Sequence, residues 1–342
     1  MRTVHQWLTA VVVGTVILLG IGFVHFDWLR PAQTASQAVD SLPASLLSDP
    51  ISALPLSLPL DPRKVALGER LFHEGRLSAD HRVSCAHCHN LATGGVDHRR
   101  RSQGVGGHEG SMNAPTVFNS GFNFRQFWDG RAETLEDQVD GPLQHPLEMA
   151  GTWRGAVAML SEDDTYRADF AATYPDGISP RNIRDAIATF ERSLITPNSR
   201  FDQFLRGNQN VLTETEQAGY RLFKQIGCTS CHQGMAIGGN MYQKLGIMED
   251  YFSARGHLQE ADLGRYNITK LEEDRYVFKV PSLRNIAVTA PYLHDASAAT
   301  LEDAIAVMAR YQLGLDLDKQ DVARIAAFLR TLTGEYQGKL LQ

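Results

Sequence analysis

The chain has 342 residues, 43% of them hydrophobic and 21% charged, with a formal net charge of −6. At that length it can bury more than one core, and about two domains are expected. The modest negative charge, with no basic run beyond Arg99-Arg100-Arg101, argues against a nucleic-acid partner.

The first feature along the chain is Leu8 to Phe26, almost wholly apolar and broken only by Thr9, Thr15, His25 and glycines. Such a run is long enough to span a bilayer and longer than most signal-peptide apolar cores. A single N-terminal transmembrane helix is therefore expected within residues 1–30, acting as an uncleaved anchor in the cytoplasmic membrane. The alternative is a removed signal, with Ser36-Gln37-Ala38 as its cleavage site. Residues 31–60 are rich in Pro, Ala, Ser and Leu, and Pro31, Pro43, Pro50, Pro55 and Pro59 predict a semi-extended linker.

Asp61-Pro62, an N-cap with proline at the first helical position, opens the globular part. Cys85-Ala-His-Cys88-His89 follows, and Cys228-Thr-Ser-Cys231-His232 matches it in the second half; together they use every cysteine. C-x-x-C-H is the attachment signature of c-type haem. The two thiols are spaced for thioethers to one porphyrin, and the histidine becomes the proximal iron ligand. A zinc site would not need a histidine after both pairs, and a redox dithiol would sit near a βαβ pattern. Two covalent haems are expected. Their attachment occurs outside the bacterial cytoplasmic membrane, so the globular part is expected in the periplasm, anchored or, after signal cleavage, soluble.

Gly68-Glu-Arg70-Leu71-Phe72 before the first haem motif is answered by Gly219-Tyr-Arg221-Leu222-Phe223 before the second. Pro115-Thr-Val-Phe-Asn119 is answered by Pro281-Ser-Leu-Arg-Asn285, and Thr134-Leu135-Glu136-Asp137 by Thr300-Leu301-Glu302-Asp303. Both Thr-x-x-Asp strings predict capping boxes that open helices. Ile183, Ile187, Phe190 and Leu194 share one helical face, as do Val322, Ile325, Phe328 and Leu329. The expected fold is mainly α: two cytochrome c-like helical domains from an internal duplication, residues 61–207 and 208–342.

After the shared Thr-Leu-Glu-Asp the second half reaches Val307-Met308, whereas the first reaches Leu147-Glu148-Met149 after a short insertion. A thioether from Met308 would close an iron and raise its potential. A carboxylate from Glu148 suits proton transfer instead. Met308 has core packing as its plainer explanation, and Glu148 a place on the surface.

Cys85–His89 followed by Asn90-Leu-Ala-Thr-Gly-Gly-Val96, Asn113-Ala-Pro-Thr, Phe127-Trp128-Asp129-Gly130-Arg131-Ala132, and Thr289-Ala-Pro291-Tyr-Leu-His294 after Pro281–Asn285 resemble the bacterial di-haem cytochrome c peroxidases. The resemblance runs from about Asp61 to Gly334. It implies reduction of hydrogen peroxide to water with electrons from a small periplasmic cytochrome c or copper protein. The haem on His89 would be peroxidatic, and the haem on His232 with Met308 would receive electrons. Glu148 would be the distal acid, Gln138 the distal glutamine and Trp128 the aromatic residue between the haems. A calcium ion is implied, held by Asn113 and the backbone carbonyls of Thr289 and Pro291, oxygens that suit a hard cation. A homodimer is left open.

The chain departs from many members in its glycine-rich loop, where Val105 stands in place of an iron-binding histidine; His98 and His108 lie nearby. Two other functions are compatible with paired haem motifs. One is the related di-haem oxidase that matures a tryptophan-derived quinone in a partner protein, where tyrosine replaces the methionine ligand. The other is a non-catalytic di-haem electron-transfer cytochrome.

Overall fold

The computed structural model describes residues 49–342. Helices dominate: α1 (Pro62–Phe72), α2 (Leu135–Gln144), α3 (Trp153–Glu162), α4 (Asp164–Thr173), α5 (Pro180–Ser193), α6 (Glu214–Gln225), α7 (Leu301–Leu313) and α8 (Lys319–Arg330). The sequence signals act where expected. The Asp61 carboxylate caps α1 by accepting from the Arg63 N–H, with Pro62 at the first position. Thr134 and Thr300 form reciprocal capping boxes with Asp137 and Asp303 at the starts of α2 and α7.

The duplication is visible as repeated packing. Helix α1 crosses α5 at Gly68, where an added Cβ would lie 2.0 Å from the Ala186 carbonyl oxygen. Helix α6 crosses α8 at Gly219, where it would lie 1.9 Å from the Arg324 carbonyl oxygen. Glycine is needed at both crossings because the two backbones touch. Asn119 and Asn285 each adopt a left-handed φ of 61°. Their side-chain amides donate to one shared acceptor, the Thr196 hydroxyl, at 2.8 and 3.0 Å. The two halves thus meet at a single residue through the same motif.

One core gathers Phe201, Tyr220, Phe223, Ile325 and Phe328; another gathers Leu71, Val105, Leu160, Phe170 and Ile183. Two segments cross between them. Ile51 belongs to the Phe201–Phe328 core of the second half. There the Pro50 carbonyl accepts from the Gly234 N–H at 2.8 Å, and the Ser52 carbonyl accepts from Arg284 at 3.0 Å. Arg284 is itself buried in an ion pair with Asp202 at 2.8 Å, whose carboxylate also accepts the Leu54 N–H. Part of the stretch expected to be a linker is therefore a fitted strap. Conversely, Leu341 near the C-terminus packs with Phe72, Phe118 and Phe190 in the first half. A short antiparallel pair, β1 (Tyr242–Lys244) with β2 (Val277–Lys279), sets Tyr242 opposite Lys279.

The expectation of an N-terminal transmembrane helix, and with it membrane anchoring and a membrane partner, is corrected. No helix among the described residues is long and apolar enough to cross a membrane. The longest, α5, has 14 residues and carries charges along its outer face, whereas a span needs about 20 predominantly apolar ones. Leu8 to Phe26, on which that expectation rested, lies outside the described residues.

Candidate functional site

Each half encloses a cavity behind its C-x-x-C-H motif. Counting space open to solvent, the first measures about 1370 Å³ and the second about 2160 Å³. Cys85, Cys88 and His89 line the first; Cys228, Cys231 and His232 line the second. The short helical turn Cys85–Cys88 presents His89, whose Nδ1 lies 3.3 Å from the Gly95 carbonyl oxygen. His232 repeats the arrangement with the Ile237 carbonyl, also at 3.3 Å. Burial pushes the pKa of both imidazoles down, that of His232 to about 4. A neutral ring with Nδ1–H donating to a carbonyl leaves Nε2 as a lone pair for a metal.

These cavities fit haem. The cysteines form no disulfide. Burial raises the Cys85 thiol well above its ordinary value, Cys88 to about 11 and Cys228 to about 12. The two pairs lie in separate cavities, so they cannot share one zinc ion. The Ser102 and Ser120 hydroxyls at the first cavity and the Asn123 amide oxygen at the second are buried without a hydrogen-bond partner. Buried polar atoms of this kind call for a partner that the protein alone does not supply.

Glu148, Gln138 and Trp128 all line the first cavity. Gln138 projects from α2, while Glu148 sits in the turn after it. Counted from the two capping boxes, the position equivalent to Met308 is Pro142, not Glu148. Helix α2 ends at Gln144 and α7 runs to Leu313, so the acid enters from beyond a shortened helix. Gly104 makes that turn possible: a Cβ there would lie 2.1 Å from the Leu147 carbonyl oxygen. The neighbouring Val105 N–H donates to the Glu148 carbonyl at 2.7 Å. Burial raises the Glu148 pKa, opposed by His145 and Arg131; the His145 Nδ1 lies 3.7 Å from its carboxylate.

Neither loop histidine lines the first cavity. His108 is exposed, and His98 places its Nδ1 2.9 Å from the Ala290 carbonyl oxygen. Val105 is packed into the first half's core.

Met308 lines the second cavity from α7. Trp128 lines both cavities, and its Nε1–H donates to the Asn113 carbonyl at 2.9 Å. Asn113, Thr289 and Pro291 all line the second cavity, and the Asn113 amide nitrogen donates to the Arg99 carbonyl at 2.9 Å. Its side-chain oxygen is thereby left as an acceptor.

Arg131, Glu191 and His294 are site groups that the sequence does not single out. Arg131 lines the first cavity beside Glu148; it was legible only as part of the Phe127–Ala132 string. Glu191, 5% exposed, faces the same cavity from α5, and burial pushes its pKa up to about 8. Its helical position reads as core, which hid it. His294 is buried with its Nε2 2.7 Å from Asp262. Arg255 pairs with both Asp262 and Asp295, and this cation already fills the one His/Asp cluster found among the described residues.

A family model described as "Di-haem cytochrome c peroxidase" matches residues 62–210. Cytochrome c peroxidase Ccp of Escherichia coli is 51% identical over 279 residues, covering 81% of this chain and 60% of that protein. The chain thus spans less than two thirds of that relative's length. Cytochrome c551 peroxidase of Nitrosomonas europaea is 46% identical over 270 residues, covering 79% of each chain. Among solved structures, a MauG-like protein associated with microbial copper homeostasis superposes with a TM-score of 0.72 at 32% identity, covering 86% of this chain and 95% of the other.

Proposed function

The chain belongs to the di-haem cytochrome c peroxidases, and on that footing we propose that it reduces hydrogen peroxide to water in its first cavity with electrons received at its second. One arrangement carries the reading: two equivalent histidine-bearing cavities, one faced by Glu148 and Gln138, the other by Met308.

When bound, the two haems supply the electrons that cleave the O–O bond, one haem to each duplicated unit, residues 61–207 and 208–342. His89 and His232 would hold them through Nε2, each oriented by its Nδ1–H···O=C contact. At the first cavity Glu148 takes the proton from the nearer peroxide oxygen and returns it to the departing one. Positioned acid–base groups contribute about 10² to 10⁴-fold. Its raised pKa suits both halves of that task, because a carboxyl far below neutrality would release a proton but seldom return one. The Gln138 amide orients peroxide, and the charges of His145 and Arg131 oppose the effect of burial on Glu148. At the second cavity the Met308 thioether closes the site to substrate and favours the reduced state. Trp128 touches both cavities and is the route between them. The Asn113 side chain and the Thr289 and Pro291 carbonyls would hold a calcium ion beside that route. The electron donor is a small periplasmic cytochrome c or copper protein.

Met308 on the second cavity supports peroxide reduction over the tryptophan-oxidising relatives, in which tyrosine takes that place. The test is steady-state consumption of peroxide by the di-haem protein with a reduced small cytochrome c, beside optical spectra of the oxidised form. Turnover with one iron open is expected. No turnover with both irons six-coordinate would make the protein an electron-transfer cytochrome.

A further inference from the structure

The two cavities differ in charge as well as in ligands. The first is lined by the carboxyl groups of Glu148 and Glu191 and by one cation, Arg131. The second is lined by Lys244, Lys279 and Arg284 and by no carboxylate. Two of these three cations are accounted for. Lys244 is exposed, and Arg284 is neutralised by Asp202 at 2.8 Å.

Lys279 is different. It is 6% exposed on β2, fixed by its backbone N–H, which donates to the Trp128 carbonyl at 2.8 Å. Among the described residues no acceptor or carboxylate meets its ammonium, and burial alone pulls its pKa down to about 8. Counted from Pro115 and Pro281, its equivalent in the first half is Asn113, a neutral residue. A lysine held in a cavity with no counter-charge is costly, and such groups are paired in native proteins. The geometry calls for an anionic partner that the protein's own side chains do not supply. Haem brings two carboxylates.

We propose that Lys279 is the counter-ion of a propionate on the haem carried by His232, and that its charge holds that haem's reduction potential up. A fixed positive charge in a low-dielectric site favours the iron state with one positive charge fewer. Lys279 thereby acts in the same direction as the Met308 thioether. The carboxyl groups of Glu148 and Glu191 act oppositely at the first haem whenever they are ionised. The duplicated scaffold separates its two potentials partly by placing opposite charges in matching cavities. Lys279 is a positioning and tuning residue and takes no part in peroxide chemistry.

This inference rests on the second haem occupying that cavity, which haem stoichiometry and wild-type turnover test separately. The experiment is spectroelectrochemical titration of both haems in the holoprotein and in Lys279→Met, Lys279→Gln and Lys279→Arg, with haem content measured for each. The neutral variants should show a lowered potential at the His232 haem and an unchanged one at the His89 haem, and Lys279→Arg should stay near wild type. Loss of the second haem from both neutral variants but not from Lys279→Arg would equally support the pairing. An unchanged potential in a neutral variant that keeps two haems would overturn it. So would a shift confined to the His89 haem, which would assign the carboxylate to the other porphyrin. Haem loss from all three variants would reduce the position to packing.

Discussion

At the scale of single residues, the first cavity is governed by carboxyl groups whose burial opposes ionisation. Glu148→Gln keeps the shape and removes the proton carrier, so peroxide turnover should fall about 10²-fold or more with both haems retained. Full turnover in that variant would pass the proton to His145, the group nearest the carboxylate. Glu191 gives a pH signature. Its folded pKa of about 8 stands above the ordinary 4.5, so its contribution to stability is complete below about pH 4.5 and is lost as pH rises through about 8. Glu191→Gln should flatten the decline in melting temperature across that window; an undiminished decline would exclude Glu191 as its source. Arg192 and Glu136 are the charged groups that modulate it, the first lowering and the second raising its pKa. Val105 supplies a third test. With valine packed into the core and neither His98 nor His108 on the cavity lining, the oxidised protein should show a high-spin iron and react with peroxide before any reduction. Val105→His should convert that iron to low-spin. Only low-spin signals in an inert wild-type protein would sink the idea.

Among the secondary-structure elements, the paired helix crossings are the part of the fold most dependent on a missing side chain. The Gly219 Cβ position lies 1.9 Å from backbone, which cannot yield as a flexible side-chain tip would. Gly219→Ala should therefore destabilise by about 1–3 kcal/mol or more, as overpacked cores do, read as a lower denaturation midpoint. Unaltered stability would mean that α6 and α8 separate freely. Much at this scale was legible in sequence. The capping boxes at Thr134 and Thr300, the proline after Asp61 and the apolar faces of α5 and α8 are local signals, and local structure obeys them. The position of Glu148 was legible only in outline. Its residue type stood out, but the helix register that it departs from depends on where α2 stops. Glu191 and Lys279 were illegible because each sits in an element whose pattern predicts burial, and only the cavity shows that a charge is buried there. Strands β1 and β2 are three residues each and pair across a long separation, too short to leave a pattern.

Over the whole molecule, the two crossing segments, around Ile51 and around Leu341, were the least predictable part. The proline spacing of residues 31–60 describes a backbone that avoids helix, but not the surface it lies on. Ile51 and the carbonyls of Pro50 and Ser52 find their partners in residues that follow by well over a hundred positions. Likewise nothing near Leu341 announces Phe72 and Phe190 as its neighbours. Deleting residues 335–342 should accordingly loosen the first half. Amide exchange should rise along α1 and α5, and a rise confined to α7 and α8 would contradict the packing.

The crossed segments also constrain how such a protein can be recombined. A duplicated gene invites the exchange of one half for a relative's, with the joint placed midway. Here a midway joint would leave the incoming second half facing a foreign Ile51 strap, and the resident first half facing a foreign Leu341. A working chimaera must draw these two segments and its two bodies from crosswise parents, so three joints are needed where the repeat suggests one. Exchange of the halves is thus coupled by where these two segments dock, independently of any chemistry that passes between the haems.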